Sequence, residues 1–192
     1  MRQEDLSGAL DFLRAAERLK DTFRSGFTAE GRPESTAAHT WRLALMAIIF
    51  EKDLGEIDFG RLLKILIVHD LGETLSGDVP AVAQMPGEEK VAQERADLLE
   101  LTAPIDPTRR QAILDLWEEY EAGTTPEARL AKGFDKLETI LQHNQGLNPP
   151  DFDYRFNLDY GRSATDAHPL LQAIRAVLDA ETEARAENSR VD

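Results

Sequence analysis

Four histidines, His39, His69, His143 and His168, stand in this chain of 192 residues, and cysteine is absent. Imidazole nitrogen and carboxylate oxygen are therefore the donors on offer to a transition-metal ion, while thiolate sites, disulfides and cysteine nucleophiles are excluded. His39 shares a helical face with Leu43, Met46 and Phe50, and His69 shares one with Leu62, Ile65 and Leu66. A histidine on such a face is in most cases a core residue satisfied by a hydrogen bond. Asp70 changes that balance, because it follows the apolar run Ile65–Val68. An unpaired carboxylate is costly to bury there, and a cation beside it removes the cost. Glu73 lies three residues after Asp70 and four after His69, so on a helix it projects over the same face. A carboxylate beside a metal site is placed for general acid or base chemistry. Asp78, in Gly77-Asp78-Val79-Pro80, either points into the same pocket or stabilises its own turn. Asp135 sits between Phe134 and Leu137, with small Ala128 and Ala131 before it that leave room for an ion. The plain alternative for Asp135 is an exposed residue beside Lys132 and Lys136.

The elements that must position these groups read as helical almost throughout. Residues 5–20 place Leu6, Leu10, Leu13 and Leu19 near helical spacing. Residues 21–33, with Gly26, Gly31 and Pro33, read as a loop. Residues 34–51 form the most apolar helix, capped near Ser35, and residues 59–75 form a second. Gly77, Pro80 and Pro86 punctuate a loop. Helices follow over 87–102, 107–121 and 126–143, the last with Pro126 in its first turn. Residues 145–165, rich in proline and aromatic residues, read as a long ordered loop of the kind that often carries function. A last helix spans about 167–185, and the tail over 186–192 is frayed. The expectation is one all-α domain of roughly seven helices over residues 1–192, its core over about 6–180, with Trp41 and Trp117 inside it.

Composition limits the partners. Lys and Arg number 22 against 36 Asp and Glu, a formal net charge of −14. Such a chain has no electrostatic footprint for duplex nucleic acid or an anionic membrane. It binds a small anion only where local cations or a metal ion offset the field. The longest apolar run, Leu43 to Phe50, has 8 residues, whereas a membrane-spanning helix needs about 20. The acidic and basic start Met1-Arg-Gln-Glu-Asp5 does not read as a signal peptide, so a cytoplasmic location is expected.

The order His39, His69-Asp70, Asp135 resembles the HD-domain superfamily of metal-dependent phosphohydrolases. Arg32-Pro-Glu-Ser-Thr-Ala-Ala-His39 resembles the segment that carries the first ligand in the HD-domain 5′-deoxynucleotidase family. His69-Asp-Leu-Gly-Glu-Thr-Leu-Ser-Gly-Asp-Val-Pro80 is similar to that family's HDxxExxxGDxP signature. Leu116-Trp-Glu-Glu-Tyr120, followed by Ala131-Lys-Gly-Phe-Asp-Lys136, resembles the approach to its last ligand. The resemblance implies an all-α HD-domain bundle, a homodimer, and hydrolysis of nucleoside 5′-monophosphates to nucleoside and phosphate. It implies His39, His69, Asp70 and Asp135 as ligands of one divalent ion (Mn, Co, Fe, Zn or Mg). Glu73 would be the catalytic carboxylate, and Asp78 would contact substrate or hold water. In some relatives the equivalents of Glu73 and Asp78 go with a second metal. One departure touches sugar selection. An Arg-Trp pair that contacts the phosphate and packs near the sugar in one bacterial branch corresponds to Gly26-Phe27 here. Arg24 and Phe27 are then the candidates for substrate contact, and Arg24 or Lys136 for offsetting the phosphate charge. The alternatives are an HD-type phosphohydrolase acting on another nucleotide phosphoester and a metal- or nucleotide-binding module without catalysis. The lack of a dense Lys/Arg cluster near the signature disfavours polyphosphates, and the presence of Glu73 and Asp78 disfavours a mere sensor.

Overall fold

Ser35 accepts a hydrogen bond from the Ala38 amide at 3.2 Å and starts one of the two most apolar helices of the chain. The computed structural model describes residues 2–78 and 88–188. Helix α1 spans Gln3–Ala16 and runs into a 3₁₀ turn over Glu17–Lys20. Two short strands follow, β1 (Phe23–Phe27) and β2 (Pro33–Ser35), paired antiparallel with Phe23 opposite Ser35 and Phe27 opposite Pro33. Then come α2 (Thr36–Ile49), α3 (Phe59–Val68) and α4 (Glu73–Ser76). The rest of the chain is α5 (Glu88–Leu101), α6 (Pro107–Ala122), α7 (Pro126–Gln145), α8 (Phe156–Asp159), α9 (Arg162–Thr165) and α10 (Pro169–Asn188).

Helix α7 is the axis of the fold, packed by α2, α3, α6, α9, α10 and β1. Its apolar residues Phe134, Leu137 and Ile140 meet Leu43, Leu62, Ile65, Leu66 and Leu171 in the main core. Gly133 makes the α10 contact possible, because a Cβ there would collide with Leu171. A second apolar cluster, built on Leu19, Val68, Leu71, Leu98, Leu114 and Trp117, holds α3 and its following turn against α5 and α6. Burial of these side chains contributes on the order of 1.5–3 kcal/mol each, so the helices that carry the candidate site sit on the most stable part of the molecule.

The helical expectation holds with five corrections. Residues 21–33, read as a loop, contain β1 and the start of β2, because local alternation too short to register in the sequence pairs across a tight return. The expected helix over 59–75 stops at Val68 and resumes as one turn at Glu73. The long segment 145–165 carries two single-turn helices. Trp41, expected in the core, is 65% exposed on the outer face of α2 with Leu45, Ile48 and Ile49, whereas Trp117 is buried as expected. The last helix reaches Asn188, past its expected end. Val79, Pro80 and Pro86 of the punctuated loop and the tail over 189–192 lie outside the described residues. Among the described residues, no helix is long and apolar enough to cross a membrane.

Candidate metal centre and substrate pocket

The end of α3 is where the chemistry gathers. The His69 amide still reaches the Ile65 carbonyl at 3.0 Å, but Leu71 and Glu73 bond back only three residues, to Val68 and Asp70. The chain thus leaves the α-helix through a tight turn that carries His69 and Asp70. Gly72 lets this turn press against α5, since a Cβ there would lie 2.8 Å from the Glu94 carbonyl oxygen.

Two imidazoles face each other across this turn, their ring centroids 5.7 Å apart. The Nδ1 of His69 donates to the Leu66 carbonyl at 2.8 Å, which leaves Nε2 as the free acceptor. The Nδ1 of His39 is held by the Glu138 carboxylate, which fixes its ring in the same sense. Asp70 places Oδ1 3.1 Å from His69 Nε2 and Oδ2 3.8 Å from His39 Nε2. Asp135, only 4% exposed, brings Oδ1 to 3.2 Å from His39 Nε2. His39 Nε2, His69 Nε2 and Asp70 Oδ2 are buried and lack a hydrogen-bond partner. Three orphaned acceptors aimed at one point, with a second carboxylate beside them, fit a divalent cation better than any arrangement of protein hydrogen bonds. His39, His69 and Asp70 offer ligand atoms within 4.8 Å of one another.

The electrostatics agree. Burial resists ionisation of Asp135, but the Lys136 ammonium at 2.8 Å and the two imidazoles hold its carboxyl well below the usual range. Burial and Arg24 oppose a proton on His39, yet Glu138 and Asp135 outweigh them and push it up to about 10. Metal uptake at His39 Nε2 would compete with that proton. Glu73, on the first turn of α4 and 4% exposed, accepts from Thr36 Oγ1 at 3.4 Å. Burial, then the charges of Asp70 and Asp78, push Glu73 up to about 10.

These groups open onto a cavity of about 470 Å³. His69, Asp70, Glu73, Asp78 and Asp135 line it, together with Arg24, Phe27 and Lys136, so every residue singled out in the sequence except His39 reaches this space. His39 lies behind it, fully buried. Arg24 stands over the cluster, with Nη1 3.6 Å from Asp70 Oδ2 and Nη2 donating to Thr139 Oγ1 at 3.0 Å. Lys132 and Tyr120 also line the pocket, as do Lys90 and His143, which had no signal of their own at short range.

Glu138 is the residue sequence reasoning passed over with most consequence. It is 0% exposed, and its other oxygen accepts from Arg42 Nε at 2.6 Å. A signal was present, because Asp135, Glu138, Thr139, Gln142 and His143 recur at helical spacing and all are buried polar groups. Glu138→Gln keeps the shape but removes the charge that aligns His39. The expected result is a folded protein whose Mn²⁺ affinity falls roughly 10- to 100-fold, the usual effect of losing such a partner. Titration of the chelated protein with Mn²⁺ in competition with a metal indicator checks it, and parental affinity would remove Glu138 from this role.

Comparison with known proteins is consistent with this geometry. The HD domain family matches residues 16–175. The chain is 33% identical over 188 residues to 5′-deoxynucleotidase HDDC2 of Dictyostelium discoideum, covering 92% of this chain and 99% of that one. It is 31% identical over 183 residues to the Mus musculus protein of the same name, covering 94% and 90%. A crystal structure of a predicted metal-dependent phosphohydrolase from Magnetospirillum magnetotacticum superposes with a TM-score of 0.83 at 26% identity, over 95% of each chain. With a buried His, His-Asp, Asp cluster in the order of the motif and relatives matched over nearly their whole length, the chain belongs to the HD domain family, alongside the 5′-deoxynucleotidases of the HDDC2 group.

Proposed function

We propose that this protein removes phosphate from deoxynucleoside 5′-monophosphates, using one divalent ion held by His39, His69, Asp70 and Asp135. The observation that carries this is the convergence of three buried ring and carboxylate atoms without a hydrogen-bond partner, at the end of a pocket that Glu73 also lines. When bound, the ion supplies an acidified water and polarisation of a phosphoryl oxygen. The chain's residues supply the rest. Arg24 and Lys136 offset the charge of the phosphate, and Asp78 faces the substrate from the turn after α4. Glu73 relays the proton. As the oxygen of water bonds to phosphorus and the bond from phosphorus to the 5′-oxygen breaks, Glu73 is placed to take the proton that the water sheds and to give one to the leaving 5′-oxygen.

The test is phosphate release from a panel of dNMPs and NMPs by chelated protein reloaded with Mn, Co, Mg or Zn. Metal-dependent release from dNMPs in preference to NMPs is expected. Equal release from both sugars would keep the chemistry and discard the deoxyribose preference, placing the effect at Gly26-Phe27. No release from any nucleotide by metal-loaded protein would overturn the proposal. The exposed apolar face of α2, formed by Trp41, Leu45, Ile48 and Ile49, is the face we propose for a homodimer, since these residues make a contiguous patch on one helix.

A further inference from the structure

The pocket has two ends, and the chemistry above uses only one. Asp135, Lys136, Thr139 and His143 of α7 all line it. Asp135 and His143 are eight residues apart on one helix, which is about 12 Å along the axis. A phosphate at the Asp135 end leaves the rest of a small organic substrate to extend toward His143.

At that far end stands Phe152. Its ring meets His143 edge to face at 4.8 Å and Tyr154 at 4.9 Å, so its orientation is fixed from two sides. The segment that carries it is tied down. Asn148 Nδ2 donates to the His143 carbonyl at 2.7 Å and to the Tyr154 hydroxyl at 3.1 Å. Arg175, 2% exposed, donates to the carbonyls of Asn157, Leu158 and Tyr160, each at 2.7 Å. Phe27 lines the same end from β1, its carbonyl accepting from Gln142 at 2.5 Å. Phe152 is nonetheless half-buried and lines the cavity. A rigid aromatic ring about two helical turns from the phosphate cluster has no part in the bond-breaking chemistry. It does have the character of a stacking platform.

We infer that Phe152 is the platform for the nucleobase, which lies against its ring while the 5′-phosphate occupies the His69, Asp70 and Asp135 end. The inference rests on the nucleotidase reading and deepens it. Every base offers a π face, so stacking here recognises a base without selecting among the four.

The experiment compares parental protein, Phe152→Ala, Phe152→Leu and Phe152→Tyr on the four dNMPs and on 2-deoxyribose 5-phosphate, which has no base. Phe152→Ala is expected to lower kcat/KM on every dNMP by about 5- to 100-fold, mainly through KM, the range that loss of base stacking gives. Phe152→Leu, which keeps apolar bulk without a π face, falls between. Phe152→Tyr stays near parental. All four proteins should treat 2-deoxyribose 5-phosphate alike. Unchanged kcat/KM on dNMPs, or an equal loss on the base-free substrate, overturns the assignment. A parental protein active on 2-deoxyribose 5-phosphate but indifferent to the presence of a base also overturns it and leaves the phosphatase reading intact. A parental protein inactive on every one of these phosphates overturns the phosphatase reading first, and the platform falls with it.

Discussion

Replacing Asp70 by Ala is expected to abolish metal binding and phosphate release together while the protein stays folded. Asp70 is the carboxylate that joins the two imidazoles, with one oxygen beside His69 Nε2 and the other facing His39 Nε2. Its removal leaves two imidazole nitrogens and Asp135, a set with one negative charge fewer and no donor bridging the two rings. Burial resists its ionisation, but His69, Arg24 and His39 hold its carboxyl well below the usual range, so a full charge is lost over the accessible pH range. The fold should survive because Arg24, its other close partner, keeps Glu34 at 3.8 Å and Thr139 at 3.0 Å. Asp70→Asn separates charge from shape, since the amide fills the same space and should lose the metal as well. Mn²⁺ titration with circular dichroism on the same samples decides the matter. A variant that binds one ion per chain at parental affinity would refute the ligand assignment.

A net charge of −14 makes the same point about the substrate. The pocket does contain cations, Arg24, Lys90, Lys132 and Lys136, drawn from segments far apart in the sequence. Each already has a task. Lys90 pairs with Glu94 at 2.9 Å, Lys136 with Asp135 at 2.8 Å, and Lys132 lies 4.3 Å from the Tyr120 ring centre. Around them stand Glu73, Asp78, Glu94, Glu121, Asp151 and Asp153. A phosphate dianion entering this field meets cations already engaged, and a divalent ion at the His-Asp cluster would add to the offset that Arg24 and Lys136 give. The dispersal of the cations also explains why no dense basic cluster was visible near the signature.

What could be read in advance divides along physical lines. The long helices were legible because each buries an apolar stripe, and the buried residues of α3 are all apolar. The face of α2 that meets the core was less legible, because Trp41, Leu45, Ile48 and Ile49 make its outer side apolar too, and periodicity does not then say which side is in. The turn after His69 was hidden by continuous apolar spacing; only Gly72 marked it, through the close approach of α5. The candidate residues on the motif were singled out by order and spacing, and the fold brings them to one place. His143 was not, because its partners Asn157 and Phe152 come from a later segment whose return to α7 no local pattern announces. The buried polar stripe of α7 from Asp135 to His143 was the missed clue. Five polar side chains at the spacing of a core face are affordable only if that face lines a site or forms a satisfied network, and here it does both.

Glu73→Gln is expected to keep the metal and lose turnover by about 10²- to 10⁴-fold, the scale of a lost general acid or base. The amide retains the size of the side chain and an acceptor for the Thr36 hydroxyl, but it has no proton to give. A stability measurement isolates the same proton without any substrate. In metal-free protein, burial and then the charges of Asp70 and Asp78 push Glu73 from an ordinary value of 4.5 up to about 10. The folded state therefore binds this proton more tightly than the unfolded state does. Stability from this group is fully present below about pH 4.5 and is lost as pH rises toward about 10. Gln stays neutral throughout and carries no such slope. Chelated Glu73→Gln protein should match the parental melting temperature at pH 5 and exceed it at pH 9. A variant that hydrolyses dNMPs at the parental rate would remove Glu73 from the chemistry. Parallel melting curves across that pH range would show instead that burial does not hold a proton on Glu73 in the metal-free protein.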